Sequence, residues 1–267
     1  MTCTAQKTIN DSLLKLCTEA NTSQASSTLL VKRLIATCIS NITYLRLIFP
    51  EKCYIDQEFG NDNLVKIFDE TTDNYGVQQH IKWLRGAFDA LDHKYLKCIT
   101  FAIYTDEDSP ETSVVEMYKV SINYAEKSGE FEPELKLETA DSVKTFDSIQ
   151  AMLNTLILLT EDLEDFPADA CMTMKLTYNK RTPKDYLPNG YVRDRSKLEV
   201  ADPDKICIKV GSTHTNFHAV NLKAAFDSRT IGKNLKRSRD AEEMIHPGGD
   251  NQISYWLRCI WGLQLMY

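Results

Sequence analysis

The most constraining feature of this sequence is a change of hydrophobic period near its middle. Over residues 77–95 apolar side chains recur at spacings of four, three, four, three and four, which is the pattern of one face of an amphipathic helix. Residues 96–104 then form an apolar run rich in β-forming types, and apolar and polar residues alternate over 118–124. A helix followed by hairpin-linked strands predicts an α+β fold with a mainly antiparallel sheet.

Helices are also predicted on both sides of this central unit. Before it, Ser26 and Ser27 are candidate helix caps, and apolar residues recur at helical spacing from Val31 to Leu45. Pro50 is expected to end that element, because the residue before proline avoids the α region. After it, leucines and an isoleucine over 149–163 predict a third helix.

The C-terminal half returns to strand patterns. Residues 172–178 alternate apolar and polar side chains, and a long polar loop with three prolines and a glycine follows over 180–203. Two further strands are predicted at 206–210 and 216–223, joined by a turn at 211–215. Residues 1–23, rich in Thr, Ser and Asn, are predicted to be a flexible N-terminal segment.

Charge and cysteine usage restrict the function. The net charge of −7 argues against a phosphate-binding surface over the main body. Eight cysteines without a CxxC pair are typical of reduced thiols, so no metal site is predicted. No eighteen-residue apolar stretch and no secretory signal occur, so no membrane association is expected. A basic cluster gives a candidate nuclear localisation signal: Lys233, Lys236, Arg237 and Arg239.

Motifs that would indicate an enzyme are absent from the sequence. There is no GxxxxGK[ST], GxGxxG, GxSxG or HExxH, so no catalytic residue, cofactor or small-molecule substrate is predicted. His80 and His93 fall off the apolar stripe of the central helix and are expected on the surface. His214 and His218 flank the late turn, where a structural role is favoured over metal ligation.

Three sequence blocks resemble the meiotic HORMA-domain proteins, the HORMAD family of the chromosome axis. Residues 30–51 resemble that family's first-helix signature, and residues 81–105 its second helix with the following strand. Residues 167–191, including Thr182-Pro, Asp185-Tyr and Gly190-Tyr, are similar to the strand and loop after the third helix. The likeness runs over about residues 24–225, with the blocks in the family's order and spacing.

The resemblance implies a HORMA fold, in which three main helices pack on the sheet and a C-terminal hairpin forms a "safety belt". The domain would span 24–227, with its belt at about 204–227 and a basic, apolar tail at 228–267. A partner's closure-motif peptide would pair with the edge strand Cys171, Met172, Thr173, Met174, Lys175, Leu176, Thr177 and Tyr178. The belt residues would be Ile206, Ile208, Val210, Phe217, His218, Val220 and Leu222, with the belt pairing near 114–125.

The resemblance also implies a role and a set of partners. The role would be a non-enzymatic adaptor of meiotic chromosomes in the nucleus that supports homologue pairing, synapsis and recombination. Its partners would be closure-motif peptides of axis proteins (its own kind, other HORMA proteins or cohesin-associated factors), an AAA+ remodelling ATPase acting from the N-terminus, and chromatin indirectly. A spindle-checkpoint or DNA-repair HORMA adaptor is the alternative.

The apolar end of the tail leaves two interpretations open. Residues 253–267 hold two of the three tryptophans and several aliphatic residues, which suits a peptide that docks by aromatic anchors. Alternatively they are the end of a truncated or alternatively spliced form without a selected role. Such a form would receive closure motifs but not donate one.

Overall fold

A computed structural model describes residues 3–58, 64–125, 140–161, 163–165 and 170–231 of the chain. Its helices are α1 (Cys3–Thr22), α2 (Gln24–Leu45), α3 (Tyr75–Asp92) and α4 (Ser142–Glu161). Its strands are β1 (Tyr54–Glu58), β2 (Leu64–Phe68), β3 (Leu96–Tyr104), β4 (Val114–Tyr124), β5 (Cys171–Tyr178), β6 (Ile206–His214) and β7 (His218–Phe226).

Five strands form one antiparallel sheet in the order β5-β3-β4-β7-β6, and β1 and β2 form a separate antiparallel hairpin. The predicted α+β class with a mainly antiparallel sheet is confirmed. Helices cover one face of the sheet, here called the inner face, where Phe101, Tyr118 and Leu222 pack in one core with Leu34 and Ile35 of α2. The opposite face is called the outer face.

The helix α2 is central to this core. Its apolar side chains lie around most of its circumference, and burial extends even to polar side chains such as Thr37, Ser40 and Asn41. The helix begins two residues before the predicted cap, because the Ser23 side chain accepts the backbone N–H of Ser26. It ends at Leu45, five residues before Pro50, so the proline lies beyond the helix end.

The prediction of a flexible segment over residues 1–23 is wrong for its helical part. There α1 packs on α2 and α4, and over residues 13–22, where the structure describes its side chains, four are buried: Leu13, Leu16, Cys17 and Ala20. Those positions follow the i, i+3, i+4, i+7 spacing of one helix face. This apolar pattern is short, and the Thr, Ser and Asn residues around it are typical of turns. The composition therefore favoured a flexible segment over a helix.

The expectation of a surface position for His80 is also wrong. Its side chain is 2% exposed and is surrounded by the rings of Phe49, Phe68, Trp83 and Phe101. Its Nδ1 lies 2.8 Å from the Gly76 carbonyl oxygen. This hydrogen bond gives the buried polar ring a partner. Burial lowers the pKa of this imidazole to about 4, so it is neutral near pH 7.

The late hairpin turns later than predicted. The strand β6 continues through Gly211 to His214, and the turn is at 215–217. Gly211 belongs to a register shift within β6, where a Cβ would lie 2.8 Å from Cβ of Met152 on α4. The glycine therefore permits a close approach of strand and helix, instead of making the turn.

Ordered structure also continues past residue 228, where the tail was predicted to begin. Ser228–Thr230 form a short 3-10 turn, and Ile231 is buried and bridges to Leu163. The candidate localisation residues Lys233, Lys236, Arg237 and Arg239 lie outside the described residues, as does the apolar segment 253–267. No helix within the described ranges is long and apolar enough to cross a membrane.

Candidate functional site, a sheet edge and the segment around it

The strand β5 is an edge strand with β3 as its neighbour in the sheet. An edge strand directs about half of its backbone N–H and C=O groups away from its neighbour, where a further strand can pair. Within the described part of the chain, no second strand lies against this edge. The eight residues Cys171–Tyr178 assigned to a peptide-binding edge coincide with β5.

The side chains of β5 alternate between the two faces as predicted. Met172, Met174 and Leu176 pack against the inner core, and Met174 is buried while the other two remain partly accessible. Lys175 stands on the outer face, opposite Thr100 of β3. The edge therefore offers unpaired backbone between an apolar strip and a polar strip.

Residues 179–205, here called the strap, leave the end of β5 along the exposed side of α3. The Tyr186 hydroxyl donates to the Asp89 carboxylate over 2.6 Å, and its ring lies edge-on to Tyr95 with centroids 4.9 Å apart. Farther on, the Tyr191 hydroxyl donates to the Trp83 carbonyl over 2.9 Å. The strap is thus fixed to the inner side of the sheet edge by tyrosine side chains.

A glycine on α3 makes room for this contact. A Cβ at Gly86 would lie 2.5 Å from the Asn189 carbonyl oxygen and 2.9 Å from the Tyr191 ring. Gly190 itself has φ of +90°, in the left-handed region that favours glycine. A cavity of about 740 Å³ remains beside this contact, lined by residues that include Gln79, Arg85 and Leu187.

The strap then reappears on the outer face. Asp194 forms an ion pair with Lys175, whose ammonium also donates to the Ser196 carbonyl over 3.2 Å. This ion pair, with hydrogen bonds from Ser196, holds the pKa of the Asp194 carboxyl far below its usual range. Leu198 and Val200 follow, buried on the outer-face residues Ala102, Val114, Met117 and Ala225.

These contacts determine the path of the chain. Tyr191 lies against α3 on the inner side, and Asp194 lies against Lys175 on the outer side. The chain between them must therefore pass around the free edge of β5. Val192, at this crossing, is 83% exposed. The strap forms a loop around the unpaired edge instead of adding a strand to it.

The far end of the strap continues into the β6–β7 hairpin. The strand β7 pairs with β4 over nine residue pairs, from Glu116↔Phe226 to Tyr124↔His218. The predicted belt thus pairs near 114–125, on the side of the sheet opposite β5. Ile206, Ile208, Val210, Val220 and Leu222 face the inner core, while Phe217 lies in the turn.

Polar contacts anchor the tip of this hairpin to three helices. Ser27 of α2 lies 2.7 Å from Nδ1 of His218 and 2.6 Å from the Thr215 hydroxyl. The Asn216 side chain donates to the Asn21 carbonyl at the end of α1 over 2.8 Å. Thr145 of α4 donates to the His214 carbonyl over 3.0 Å.

His218 is therefore a structural residue at the hairpin tip. It is 1% exposed and lies edge-on to Tyr124, and burial, then the nearby Lys94 charge, lower its pKa to about 4. His214, four residues earlier, is exposed. Among the described residues no group of three His, Cys, Asp or Glu side chains is arranged to hold a metal ion.

A buried ion pair closes the base of the hairpin. Arg46, at the end of α2, lies 2.8 Å from Glu116 of β4, which also accepts the Tyr118 hydroxyl. The same guanidinium donates to the carbonyls of Leu163 and Glu164, the segment that bridges to residues after β7. Burial raises the pKa of Glu116 to about 7, and the Arg46 charge opposes that rise.

Sequence reasoning located the edge strand and the hairpin, but it missed the strap. Residues 180–203 have the prolines and polar side chains of an ordinary loop, although Leu198 and Val200 alternate as a strand would. The tyrosines at 186 and 191 belong to the block that carried the family resemblance. Their contacts with α3 could not be inferred from spacing alone.

Comparison with known proteins agrees with this architecture. The HORMA domain family matches residues 27–218, and the chain belongs to that family. It is 32% identical to HORMA domain-containing protein 1 of Danio rerio over 214 residues, which cover 78% of this chain and 59% of that protein. It is 32% identical to HORMA domain-containing protein 2 of Mus musculus over 238 residues, covering 86% of this chain and 77% of that protein.

The fold is also similar to a solved structure of C. elegans HTP-2 bound to HTP-3 closure motif 1. The TM-score is 0.69 at 16% identity, covering 78% of this chain and 89% of the HTP-2 chain. The predicted HORMA fold is confirmed, with α2, α3 and α4 as the three predicted helices and α1 as an additional one.

Proposed function

We propose that this protein captures an extended peptide of a partner as an added strand on β5 and encloses it beneath the strap. The observation that carries the proposal is the path of the strap from the inner to the outer side of an unpaired sheet edge. A strand added to β5 would lie inside that loop.

The chemistry of the edge suits such a ligand. Backbone hydrogen bonds to an edge strand supply affinity that depends little on sequence, and pockets for alternate side chains supply selectivity. Met172 and Leu176 are partly accessible beside the edge, so every second ligand side chain would meet thioether and aliphatic surface. Thr173 and Thr177 would flank the strand on the outer face.

The enclosure predicts slow release. The strap is held on the inner side by Tyr186 and Tyr191, on the outer side by Lys175 with Asp194, and beyond that by the hairpin. A captured peptide leaves only after one of these attachments opens, so dissociation is expected to be limited by a conformational step.

The biological setting we propose is that of a non-enzymatic adaptor on meiotic chromosomes in the nucleus. The relatives named HORMA domain-containing proteins 1 and 2 support this assignment over a checkpoint or repair role. The structure of HTP-2 bound to HTP-3 closure motif 1 supports a closure-motif peptide as the ligand. We extend the proposal to closure motifs of axis proteins, namely the protein's own kind, other HORMA proteins and cohesin-associated factors. Chromatin contact through those partners would follow.

The AAA+ remodelling partner is part of the same proposal. Such an ATPase would act on the N-terminal end, and α1 is tied to the hairpin tip through the bond from Asn216 to the Asn21 carbonyl. Unwinding α1 would remove that bond and uncover Leu16 and Cys17, which weakens the anchor of the belt.

Peptide capture can be tested with the full chain and arrays of 15-residue peptides. The arrays tile residues 228–267 and the C-terminal segments of candidate axis proteins. Hydrogen–deuterium exchange with the best peptide is expected to show new protection in 171–178 and in the strap. Protection confined to other surfaces, or no saturable binder, would contradict the proposal. The separate β1–β2 hairpin supplies the internal control, since its exchange should not change.

A further inference from the structure

The part of the outer face that the strap leaves open carries an unusual row of lysines. Lys119 of β4 is in direct register with Lys223 of β7, and Lys223 is in register with Lys209 of β6. Residues in direct register point to the same face of a sheet, and neighbouring strands are about 4.8 Å apart. Three lysine side chains therefore project from neighbouring positions of three adjacent strands on one face.

This arrangement is unfavourable for the isolated sheet. Like charges directly opposite each other in neighbouring strands destabilise the pairing. Among the described residues, no carboxylate forms an ion pair with any of the three lysines. Lys209 and Lys223 are exposed, and Lys119 is partly exposed. An anionic ligand laid across the row would relieve the repulsion.

On the strands themselves, the positions beside the row carry neutral hydrogen-bonding side chains. The next outward positions along the strands are Ser121, Asn221 and Ser212, which are in register with one another. No Asp or Glu occupies an outward position on any of the five strands, whereas the chain as a whole has a net charge of −7. The outward positions of the strands are therefore positively charged, although the net charge of the whole chain is negative.

The geometry points to the phosphate backbone of duplex DNA as the ligand of this face: we propose that Lys119, Lys209 and Lys223 bind it without sequence preference. A protein partner is disfavoured, because interface cores rely on aromatic and aliphatic anchors that this open row lacks. Single-stranded nucleic acid is disfavoured too, because none of the aromatic side chains in the described ranges is exposed beside the row for bases to stack on.

The proposal places DNA and the peptide at different surfaces. The lysine row lies on β4, β7 and β6, whereas the peptide edge is β5, separated from β4 by β3. Lys175 continues the row through Thr100 but is already paired with Asp194. The two ligands can therefore bind at the same time, and direct DNA contact goes beyond chromatin contact through partners.

The test is fluorescence anisotropy of a 25-base-pair duplex with the full chain, over a salt series. The triple variant Lys119→Gln, Lys209→Gln, Lys223→Gln is compared with Lys15→Gln, Lys52→Gln, Lys144→Gln, which removes the same charge from exposed positions elsewhere. The row variant is expected to lose about tenfold in affinity at low salt, with a salt slope shallower by about two to three units. The control variant should stay within about twofold, since its lysines make no phosphate contact.

Several results would overturn the proposal. Equal losses in both variants would show a general charge effect, and a loss only on changing Lys236 and Arg237 to Gln would assign binding to the C-terminal basic cluster. A loss seen with a glutamate-rich peptide but not with the duplex would identify an acidic protein as the ligand. Equal melting temperatures of the two triple variants are needed for the comparison, and retained peptide capture by the row variant would separate this proposal from the previous one.

Discussion

The hairpin β6–β7 and the strap are consecutive in the chain, yet they are held in different ways. The hairpin shares a continuous backbone ladder with β4, buries Val210, Val220 and Leu222, and is tied to three helices at its tip. The strap has no strand ladder and relies on a few side-chain contacts. The difference indicates that the strap can open while the hairpin stays in place.

The hairpin base should show the largest effect on stability. Arg46→Met leaves Glu116 buried without its cation, and breaking a buried pair in this way costs about 3–5 kcal/mol. We expect the urea midpoint of unfolding to fall accordingly. Arg85→Met, which removes an exposed pair with Glu70, is the matched control and should cost under about 1 kcal/mol. Equal destabilisation by the two substitutions would show that the buried pair contributes no more to stability than the exposed pair.

The second largest effect on stability is expected from acid, through His218 at the hairpin tip. The pKa of His218 is lowered to about 4, so the folded state binds fewer protons than the unfolded state below pH 6.5, and stability falls as pH drops from about 6.5 to 4. The loss from this residue is about 3 kcal/mol at most. In urea titrations across this range, His218→Asn should remove part of the loss. An unchanged pH dependence in His218→Asn would contradict the role of burial.

Loosening the strap should affect release more than stability. In Gly86→Ala the new methyl group meets the Asn189 carbonyl at 2.5 Å, so the strap must shift away from α3. We expect stability within about 1 kcal/mol of the parent, because alanine favours the helix. Peptide dissociation followed by competition should be about tenfold faster, a change of about 1.4 kcal/mol in the barrier. Gln79→Ala on the same helix is the control, and an unaltered release rate in Gly86→Ala would exclude the strap as the barrier.

The smallest effect is expected at the outer attachment of the strap. Asp194→Asn removes the ion pair with Lys175, and partly exposed pairs contribute about 0–1 kcal/mol. Peptide release should become at most about fivefold faster. The effect should shrink in high salt, because salt screens the parent's ion pair. A salt-independent change of similar size would instead attribute the contact to the Ser196 hydrogen bonds.

The sequence predicted those parts of the fold that rest on periodic burial. The stripe over 77–95 and the alternation in 118–124 and 172–178 follow from packing on one face, so α3, β4 and β5 lie where expected. The buried position of His80 was not predicted, because aromatic side chains from distant segments surround it. Local hydrophobic periodicity carries no information about such contacts. The path of the strap was not predicted, because it depends on single contacts between residues far apart in sequence, such as Tyr191 with Trp83.

The pairing of β7 with β4 gives the enclosure a topological property. The strap begins at one edge of the sheet, and the hairpin that ends it is joined to a strand on the other side of β3. Chain and sheet together therefore form a closed ring around the space beside β5. A peptide that passes through such a ring, with a folded domain on each side, would be topologically enclosed. Such a peptide could not depart while the ring is closed, even if every hydrogen bond to β5 were lost.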